Sequence, residues 1–240
     1  MFTKSITIAV PLYNESQTIK YLHEQLKKVK DEISINELRI LLVDDGSTDN
    51  TYKLLEKYFS DFGNCQIIKH NSNLNLGGFI DTAINECNTD YIAFLDSDCT
   101  FDPSYVIDMI PLLNEDVDII NGSPYHPDGS VEGVKKGRLI ISNGANYIYR
   151  VLINKNIYTY TSIFKIYKTT IIKDILIETH GFVSVCELFV KSILKGARVI
   201  EFPCVLKIRK FGDSKIQILN SIKNHILFMW SLFKKIKLKL

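Results

Sequence analysis

Residues 91–98 read Tyr-Ile-Ala-Phe-Leu-Asp-Ser-Asp, an apolar run that ends in two carboxylates one residue apart. Such a run is typical of a buried strand, and ligand sites in α/β proteins lie just beyond the carboxyl ends of these strands. Asp96 and Asp98 are therefore predicted to face a cleft. Their oxygens suit a hard cation such as Mg²⁺ or Mn²⁺ that bridges carboxylates to substrate phosphates. The alternative is a solvated turn, because Asp and Ser are common turn residues.

On both sides of this stretch, strand-like and helix-like patterns alternate, which predicts an α/β fold with a mostly parallel central sheet flanked by helices. The first helix has apolar residues at offsets of three and four, as expected for an amphipathic helix. The predicted strands of the first half are 5–10, 38–43, 65–69, 91–95 and 118–121, and the predicted helices are 16–30, 50–58, 78–86 and 104–113.

The second half of the chain is less regular. Residues 122–137 are rich in Gly, Pro, Asp and Ser, which predicts a long loop, and long loops in compact domains are usually functional or mobile. The elements predicted after it are a helix at 136–154, a strand at 163–167, helices at 169–177 and 184–194, an extended segment at 198–208 and a final helix at 215–232. We expect one domain over 1–214. Residues 215–240 form a basic amphipathic helix that either belongs to this domain or lies at a membrane interface.

Length and charge restrict the possibilities further. A chain of 240 residues is long enough for one large α/β domain with a substantial core. The formal net charge of +2 is unevenly distributed. The 36 residues from Val205 onward hold nine basic residues and one acid, a net +8, whereas the other 204 hold 20 basic and 26 acidic residues, a net −6. An anionic partner is therefore expected at the C-terminal end.

Several features bear on localisation. The five cysteines are scattered without a Cys-x-x-Cys pair, which indicates neither a zinc site nor a disulfide framework and fits a reducing cytosol. The N-terminus has no cleavage-site pattern, and the apolar run at 226–233 is shorter than the ~18 residues that cross a bilayer. We predict a cytoplasmic protein whose basic, apolar tail contacts the inner face of the membrane, with packing on the domain as the alternative. No nucleic-acid-binding motif accompanies these charges.

Polar residues follow three of the predicted strands. They are PLYNE at 11–15, DDGS at 44–47 and DSD at 96–98. Because neighbouring parallel strands end at the same edge of a sheet, these clusters are expected to lie side by side. Each could separately be a helix cap or a first-turn acid, but three of them at strand ends favour a binding site.

The stretches VPLYNE at 10–15, VDDGSTD at 43–49 and DSD at 96–98 resemble the three N-terminal motifs of glycosyltransferase family 2. Members of that family have the GT-A fold and use nucleotide-diphosphate sugars. The resemblance implies an inverting hexosyltransferase that depends on Mg²⁺ or Mn²⁺ held by Asp96 and Asp98. The residues implied to bind the nucleotide sugar, UDP- or GDP-linked, are Pro11, Tyr13, Asn14, Glu15, Asp44, Asp45, Gly46, Gly77 and Ser97.

Later stretches resemble motifs of the polyprenyl-phosphate hexosyltransferases, a branch of the same family. They are RLIISNGAN at 138–146, FKIYK at 164–168, Gly181-Phe182 with Glu187, and Arg209 with GDSK at 212–215. The branch implies that Arg138 assists catalysis at the diphosphate. It also implies that the acceptor phosphate is bound by Ser142, Arg209, Ser214 and Lys215.

Two acceptor classes remain open at this point. A lipid phosphate is already ionised near neutral pH and needs cationic positioning, whereas a saccharide hydroxyl needs a general base, for which Glu187 is the leading candidate. The chain departs from the branch at 159–163, which reads TYTSI where the branch has DLTGS, and Lys165 replaces an arginine. Because Thr159 stands where the branch has an aspartate, two alternatives to a polyprenyl-phosphate transferase stay open. One is a transferase of cell-surface glycan synthesis, and the other is a catalytically silent nucleotide-sugar-binding protein.

Overall fold

The computed structural model describes residues 2–134, 136–211 and 218–237. Its strands are β1 (Phe2–Leu12), β2 (Ile35–Asp44), β3 (Cys65–Lys69), β4 (Tyr91–Phe94), β5 (Ile119–Ser123), β6 (Ser130–Val131), β7 (Lys165–Lys168), β8 (Val199–Pro203) and β9 (Val205–Leu206). Its α-helices are α1 (Ile19–Glu32), α2 (Thr51–Phe59), α3 (Asn75–Glu86), α4 (Tyr105–Met109), α5 (Lys136–Leu152), α6 (Thr169–Ile172), α7 (Val183–Leu194) and α8 (Ile218–Lys237). A short 3₁₀ turn, Ile110–Leu112, follows α4.

Seven strands form the central sheet in the order β3-β2-β1-β4-β7-β5-β8. Only β7 among them is antiparallel to its neighbours, β4 and β5. The predicted α/β architecture with a mostly parallel sheet is therefore confirmed. Strands β6 and β9 make a separate parallel pair.

Both faces of the sheet are buried, as expected when crossover helices cover a parallel sheet. Two successive residues of β1 illustrate this: Ile8 belongs to the core cluster with Leu26 of α1, and Ala9 belongs to the opposite cluster with Phe79 and Phe189 of α3 and α7. The period of two in a strand sends successive side chains to opposite faces. The central strands are thus rigidly held, and the residues that follow them have fixed positions.

The predicted elements differ from the observed ones mainly at their ends. The first helix begins at Ile19 rather than residue 16, because Thr18 donates its amide and its hydroxyl to the Glu15 carbonyl and closes a turn first. The helix predicted at 169–177 ends at Ile172, and a loop follows it. The predicted domain boundary at 214/215 lies outside the described residues.

Lys165 of β7 is a fully buried cation. Its Nζ donates to the Ser162 carbonyl and lies 4.7 Å from the centre of the Phe189 ring. Burial lowers the pKa of this lysine from its ordinary 10.5 to about 8. The folded state therefore carries a charge-burial penalty of about 3 kcal/mol whenever the lysine is protonated in both states.

This penalty predicts a pH-dependent effect of Lys165→Met. Below about pH 8 the wild-type penalty is constant, and between about 8 and 10.5 the folded protein releases the proton while the unfolded chain keeps it. The free energy of unfolding of the wild type therefore rises, relative to that of the variant, as the pH increases through this window. In urea unfolding at pH 7 and pH 10, the free energy of unfolding of Lys165→Met relative to wild type should be lower at pH 10. An equal difference at both pH values would contradict the assigned pKa.

Candidate active site

A cleft of about 530 Å³ opens at the edge of the sheet where β1 and β4 end. Its walls also include residues of α5, of the segment 159–163, of the segment 180–183 and of the chain near Arg209. Nine residues that the sequence assigned to the site line it: Pro11, Tyr13, Glu15, Asp45, Asp96, Ser97, Asp98, Ser142 and Arg209. The expected convergence of the strand ends is therefore what the structure shows.

Arg209 joins two of the acidic residues across this cleft. Its Nε donates to Asp98 Oδ2 at 2.7 Å and its Nη2 to Glu15 Oε1 at 2.6 Å. Burial alone would lower the pKa of Arg209, but Asp98 and Glu15 outweigh it and raise the pKa above its ordinary value. Asp98 Oδ1 also accepts the Thr100 amide at 3.1 Å. Asp98 is therefore partnered on both oxygens, and a ligand cation must compete with a guanidinium for it.

Asp44, the last residue of β2, and Asp45, which follows it, differ in their surroundings. Asp45 lines the cleft, and its Oδ1 accepts the Leu74 amide at 2.8 Å and lies 2.7 Å from His70 Nδ1. Asp44 is fully buried, and its Oδ1 accepts the Ser47 amide at 3.0 Å. Its Oδ2 is buried with no hydrogen-bond partner among the described residues. Of the two carboxylates, Asp45 is the one that reaches the cleft.

Asn14 joins the loop after β1 to the loop after β2. Its Oδ1 accepts the amides of Thr48 at 2.8 Å and Asp49 at 3.3 Å. Its own amide donates to Ser47 Oγ at 2.8 Å. Asn14 has a positive φ of 52°, which Asn tolerates better than most residues. The structure thus places Asn14 behind the cleft lining, where it holds two site loops together.

Two glycines assigned to the nucleotide site are required for close packing. Gly46 has a φ of +72°, and a Cβ there would lie 2.6 Å from the backbone carbon of Ser72. A Cβ on Gly77 would lie 2.9 Å from the Thr179 carbonyl oxygen. Neither glycine lines the cleft. Both allow neighbouring backbone segments to approach closely enough to form its walls.

Glu187 does not line the cleft. Its carboxylate is 1% exposed and accepts hydrogen bonds from the backbone of Glu178 and Thr179. The role of general base assigned from the sequence therefore finds no support in the geometry, because a base must reach the proton that it removes. This location was not visible in the sequence, where the side chain could equally have been exposed on its helix.

The remaining assigned residues belong to α5 and the C-terminal segment. Ser142 of α5 lines the cleft, with its Oγ 3.1 Å from Thr161 Oγ1. Arg138 lies on the same helix, but its side chain is outside the described part of the structure, as are Ser214 and Lys215. Their assignments stay predictions.

Sequence reasoning missed a group of hydroxyls in the segment 159–162. Thr159, Thr161 and Ser162 all line the cleft. Glu201 of β8 fixes this segment by accepting the amides of Tyr158 at 2.8 Å and Thr159 at 3.0 Å. The signal was present in the letters TYTS, a concentration of hydroxyl residues between two predicted elements, but it was considered only as a departure from the family pattern.

The donor set at the cleft fits a divalent cation only in part. No group of three His, Cys, Asp or Glu residues placed to hold a metal occurs within residues 2–134, 136–211 and 218–237. Asp96 and Asp98 supply carboxylate oxygens, and Mg²⁺-like ions commonly take one or two protein carboxylates and complete their shell with phosphates and water. The residues therefore fit a cation that binds together with a phosphorylated ligand.

Helices α5 and α8 carry exposed apolar side chains. On α5, Tyr147 and Val151 are each 67% exposed, and on α8, Ile226 is 56% and Trp230 60% exposed. The opposite side of α8 packs into the core through Phe228, Met229 and Leu232. No helix in the described part of the chain is long and apolar enough to span a membrane.

Comparison with known proteins is consistent with this architecture. The family model of Glycosyl transferase family 2 matches residues 7–176. A dolichol-phosphate mannosyltransferase of Pyrococcus furiosus is 25% identical over 88% of this chain, which spans 59% of that relative's length. A polyprenol monophosphomannose synthase of Mycolicibacterium smegmatis is 24% identical over 89% of this chain and 82% of the relative.

Among solved structures, glucosyl-3-phosphoglycerate synthase from Mycobacterium tuberculosis superposes with a TM-score of 0.65 at 13% identity, covering 91% of this chain and 76% of that one. That protein was crystallised with Mn²⁺, UDP and glucosyl-3-phosphoglycerate, and also with Mg²⁺ and UDP. At this identity the likeness establishes the fold, and the GT-A fold expected from the sequence is confirmed.

Proposed function

Because the chain belongs to glycosyl transferase family 2, we propose that this glycosyltransferase moves a hexose from a UDP- or GDP-linked sugar to a polyprenyl phosphate. The observation that carries the proposal is the cleft itself, where Asp96 and Asp98 lie with Arg209 and a wall of hydroxyl groups. Two relatives named for transfer to dolichol or polyprenol carriers support the choice of acceptor. Of the alternatives, transfer to a hydroxyl has less support, because its general-base candidate, Glu187, is buried and does not line the cleft.

The acidic side of the cleft suits the donor. Asp45 and Tyr13 line its wall, and we assign contact with the nucleoside to them. Asp96 and Asp98 would hold Mg²⁺ or Mn²⁺, which supplies electrostatic stabilisation of the charge that develops on the leaving diphosphate. Asn14, Gly46 and the buried Asp44 carboxylate do not line the cleft and support this wall from behind.

Arg209 exchanges its carboxylate partners for phosphate oxygens when an anionic ligand binds. In the free protein it is paired with Asp98 and Glu15. Phosphate oxygens accept bidentate hydrogen bonds from guanidinium groups, so a bound diphosphate or lipid phosphate offers Arg209 an alternative partner. A lipid phosphate oxygen that attacks the anomeric carbon in one displacement inverts its configuration and requires no general base. The acceptor therefore needs positioning by cations and hydroxyls rather than proton removal.

A lipid acceptor accounts for the apolar side chains that α5 and α8 expose. Both helices reach the cleft, through Ser142 and Asn224, and both expose apolar residues on their outer side. Lys223 and Lys234 are exposed on α8, Lys223 near its start and Lys234 near its end. An amphipathic surface of this kind binds anionic lipid headgroups. We infer that this face rests on the membrane while the cleft takes the lipid phosphate.

A transfer assay tests both parts of the proposal. UDP-glucose, GDP-mannose and related donors are offered with a polyprenyl phosphate in detergent, in neutral vesicles and in anionic vesicles, and separately with saccharide acceptors. One donor should support transfer, and the rate should be at least ~10-fold higher in anionic than in neutral vesicles if surface charge recruits the protein. Transfer only to saccharide hydroxyls would overturn the acceptor assignment. Equal rates in the two kinds of vesicle would overturn the membrane assignment.

A further inference from the structure

One wall of the cleft is fixed from behind by a buried carboxylate. The segment 178–182 connects the loop after α6 to α7, and its residues His180, Gly181 and Phe182 line the cleft. Gly181 has a φ of +66°, with nothing within 4 Å of a Cβ built on it. The glycine is therefore needed for its backbone conformation rather than for close packing. This segment is held in place by hydrogen bonds to Glu187.

The Glu187 carboxylate accepts every donor that the start of this segment offers. Its Oε2 accepts the Thr179 amide at 2.8 Å and the Thr179 hydroxyl at 2.7 Å, and both oxygens lie 3.1 Å from the Glu178 amide. Hydrogen bonds to a charged acceptor are the stronger kind, and they are stronger still in a buried site. Two consecutive peptide groups are therefore held in one position.

Lys191, one helical turn further along α7, completes the charge balance. Its Nζ lies 2.6 Å from Glu187 Oε1 and 2.8 Å from Glu178 Oε2, and it donates to the Leu176 carbonyl at 2.8 Å. Burial alone would lower the pKa of Lys191, but the side chains Glu178 and Glu187 outweigh it and raise the pKa above its ordinary value. A cation therefore lies against the buried carboxylate, as is usual for charged groups inside proteins.

The Thr179 peptide is also restrained from two other directions. Ser184 Oγ donates to the Thr179 carbonyl at 2.7 Å. The same carbonyl oxygen would lie 2.9 Å from a Cβ on Gly77, so α3 can approach it only because that residue is glycine. Helices α3 and α7 therefore both pack against the peptide group immediately before His180.

From this geometry we propose that Glu187 is a positioning residue: it fixes the segment 178–182 so that His180 contacts the bound substrate. The proposal rests on the proposed function for the identity of that substrate. His180 is exposed and lines the cleft, whereas Glu187 is buried behind it. Glu187 therefore acts through the imidazole and its backbone, and takes no proton from the acceptor.

The test compares Glu187→Gln, His180→Ala and the double variant, with exposed Glu24→Gln as the matched control. Glutamine keeps the shape but replaces one acceptor oxygen with a donor that faces other donors. Amide hydrogen exchange at Glu178 and Thr179 should become at least ~10-fold faster in Glu187→Gln and stay unchanged in His180→Ala and Glu24→Gln. Glu187→Asp, which keeps the charge on a shorter chain, should restore part of the protection and serves if the glutamine variant does not fold.

Transfer kinetics provide the second readout. Glu187→Gln should lower kcat/KM by ~10- to 100-fold, mainly through KM, with the pH profile unchanged in shape. The double variant should be no worse than the more damaging single variant, because both changes remove the same contact. Unchanged amide exchange at Glu178 and Thr179 in Glu187→Gln would overturn the proposal. So would a double variant whose loss of kcat/KM equals the product of the two single losses, together with a Glu187→Gln pH profile that lacks one limb. If wild type transfers no sugar, the proposed function fails while the exchange result still decides whether Glu187 holds the segment.

Discussion

Replacement of Asp98 with asparagine is expected to lower the rate of sugar transfer by about 10³-fold or more. The carboxylate lines the cleft immediately after β4, where Asp96 and Ser97 also lie. Asparagine keeps the size and one oxygen but removes the charge that a hard cation requires. The variant should also lose Mn²⁺-dependent nucleotide binding, measured by calorimetry with and without the metal.

Asp102→Asn is the matched control for this experiment. Asp102 lies four residues further along the chain, does not line the cleft, and accepts the Ser104 amide at 3.0 Å through an oxygen that asparagine retains. Its activity should stay within about 3-fold of wild type, as for most changes away from the site. Near-wild-type transfer by Asp98→Asn, at equal metal concentration, would remove Asp98 from the catalytic assignment.

Arg209→Met should change metal binding and transfer in opposite directions. The guanidinium holds Asp98 at 2.7 Å and Glu15 at 2.6 Å in the free protein. Its removal frees both carboxylates of a competing cation, so Mn²⁺ should bind the nucleotide-free variant at least ~5-fold more tightly, as followed by electron paramagnetic resonance. Transfer should fall by ~10²-fold or more, because a cation that pairs with the phosphates has been lost.

Lys210→Met serves as the control for Arg209→Met. Lys210 is the next residue and also cationic, but its Nζ bonds the Tyr21 hydroxyl at 2.8 Å and does not line the cleft. Both metal affinity and transfer rate should stay close to wild type in this variant. If Arg209→Met binds Mn²⁺ no better than wild type does, the ion pair does not compete with the metal.

The parts of the fold that sequence predicted well are those determined by local pattern. The strand at Cys65–Lys69 has the predicted bounds, and α5 begins at the predicted residue 136. The antiparallel direction of β7 was not predictable, because the sequence pattern of a short strand such as Lys165–Lys168 is the same in either direction. The helix that ends at Ile172 was predicted too long because residues 173–182 follow a path set by tertiary contacts, notably with Glu187.

The site was predictable to the extent that its residues follow strands. Asp96 and Asp98 come directly after β4, and strand topology alone places such residues at the cleft. Glu187 was assigned to chemistry because it belongs to a stretch that resembles a family motif and because a hydroxyl acceptor needs a base, but a helix can direct a side chain toward or away from a site. Glycines 46 and 77 were assigned to ligand contact, whereas in the structure their lack of a Cβ allows neighbouring backbone to approach.

The most direct test of this account is a crystal structure of the protein with Mn²⁺ and the nucleoside diphosphate that supports transfer. The account predicts an anomalous manganese peak at the Asp96 and Asp98 carboxylates, shared with the diphosphate, and Arg209 turned away from Asp98 toward a phosphate. A nucleotide bound elsewhere, or a manganese peak away from both carboxylates with the Arg209–Asp98 pair intact, would contradict it.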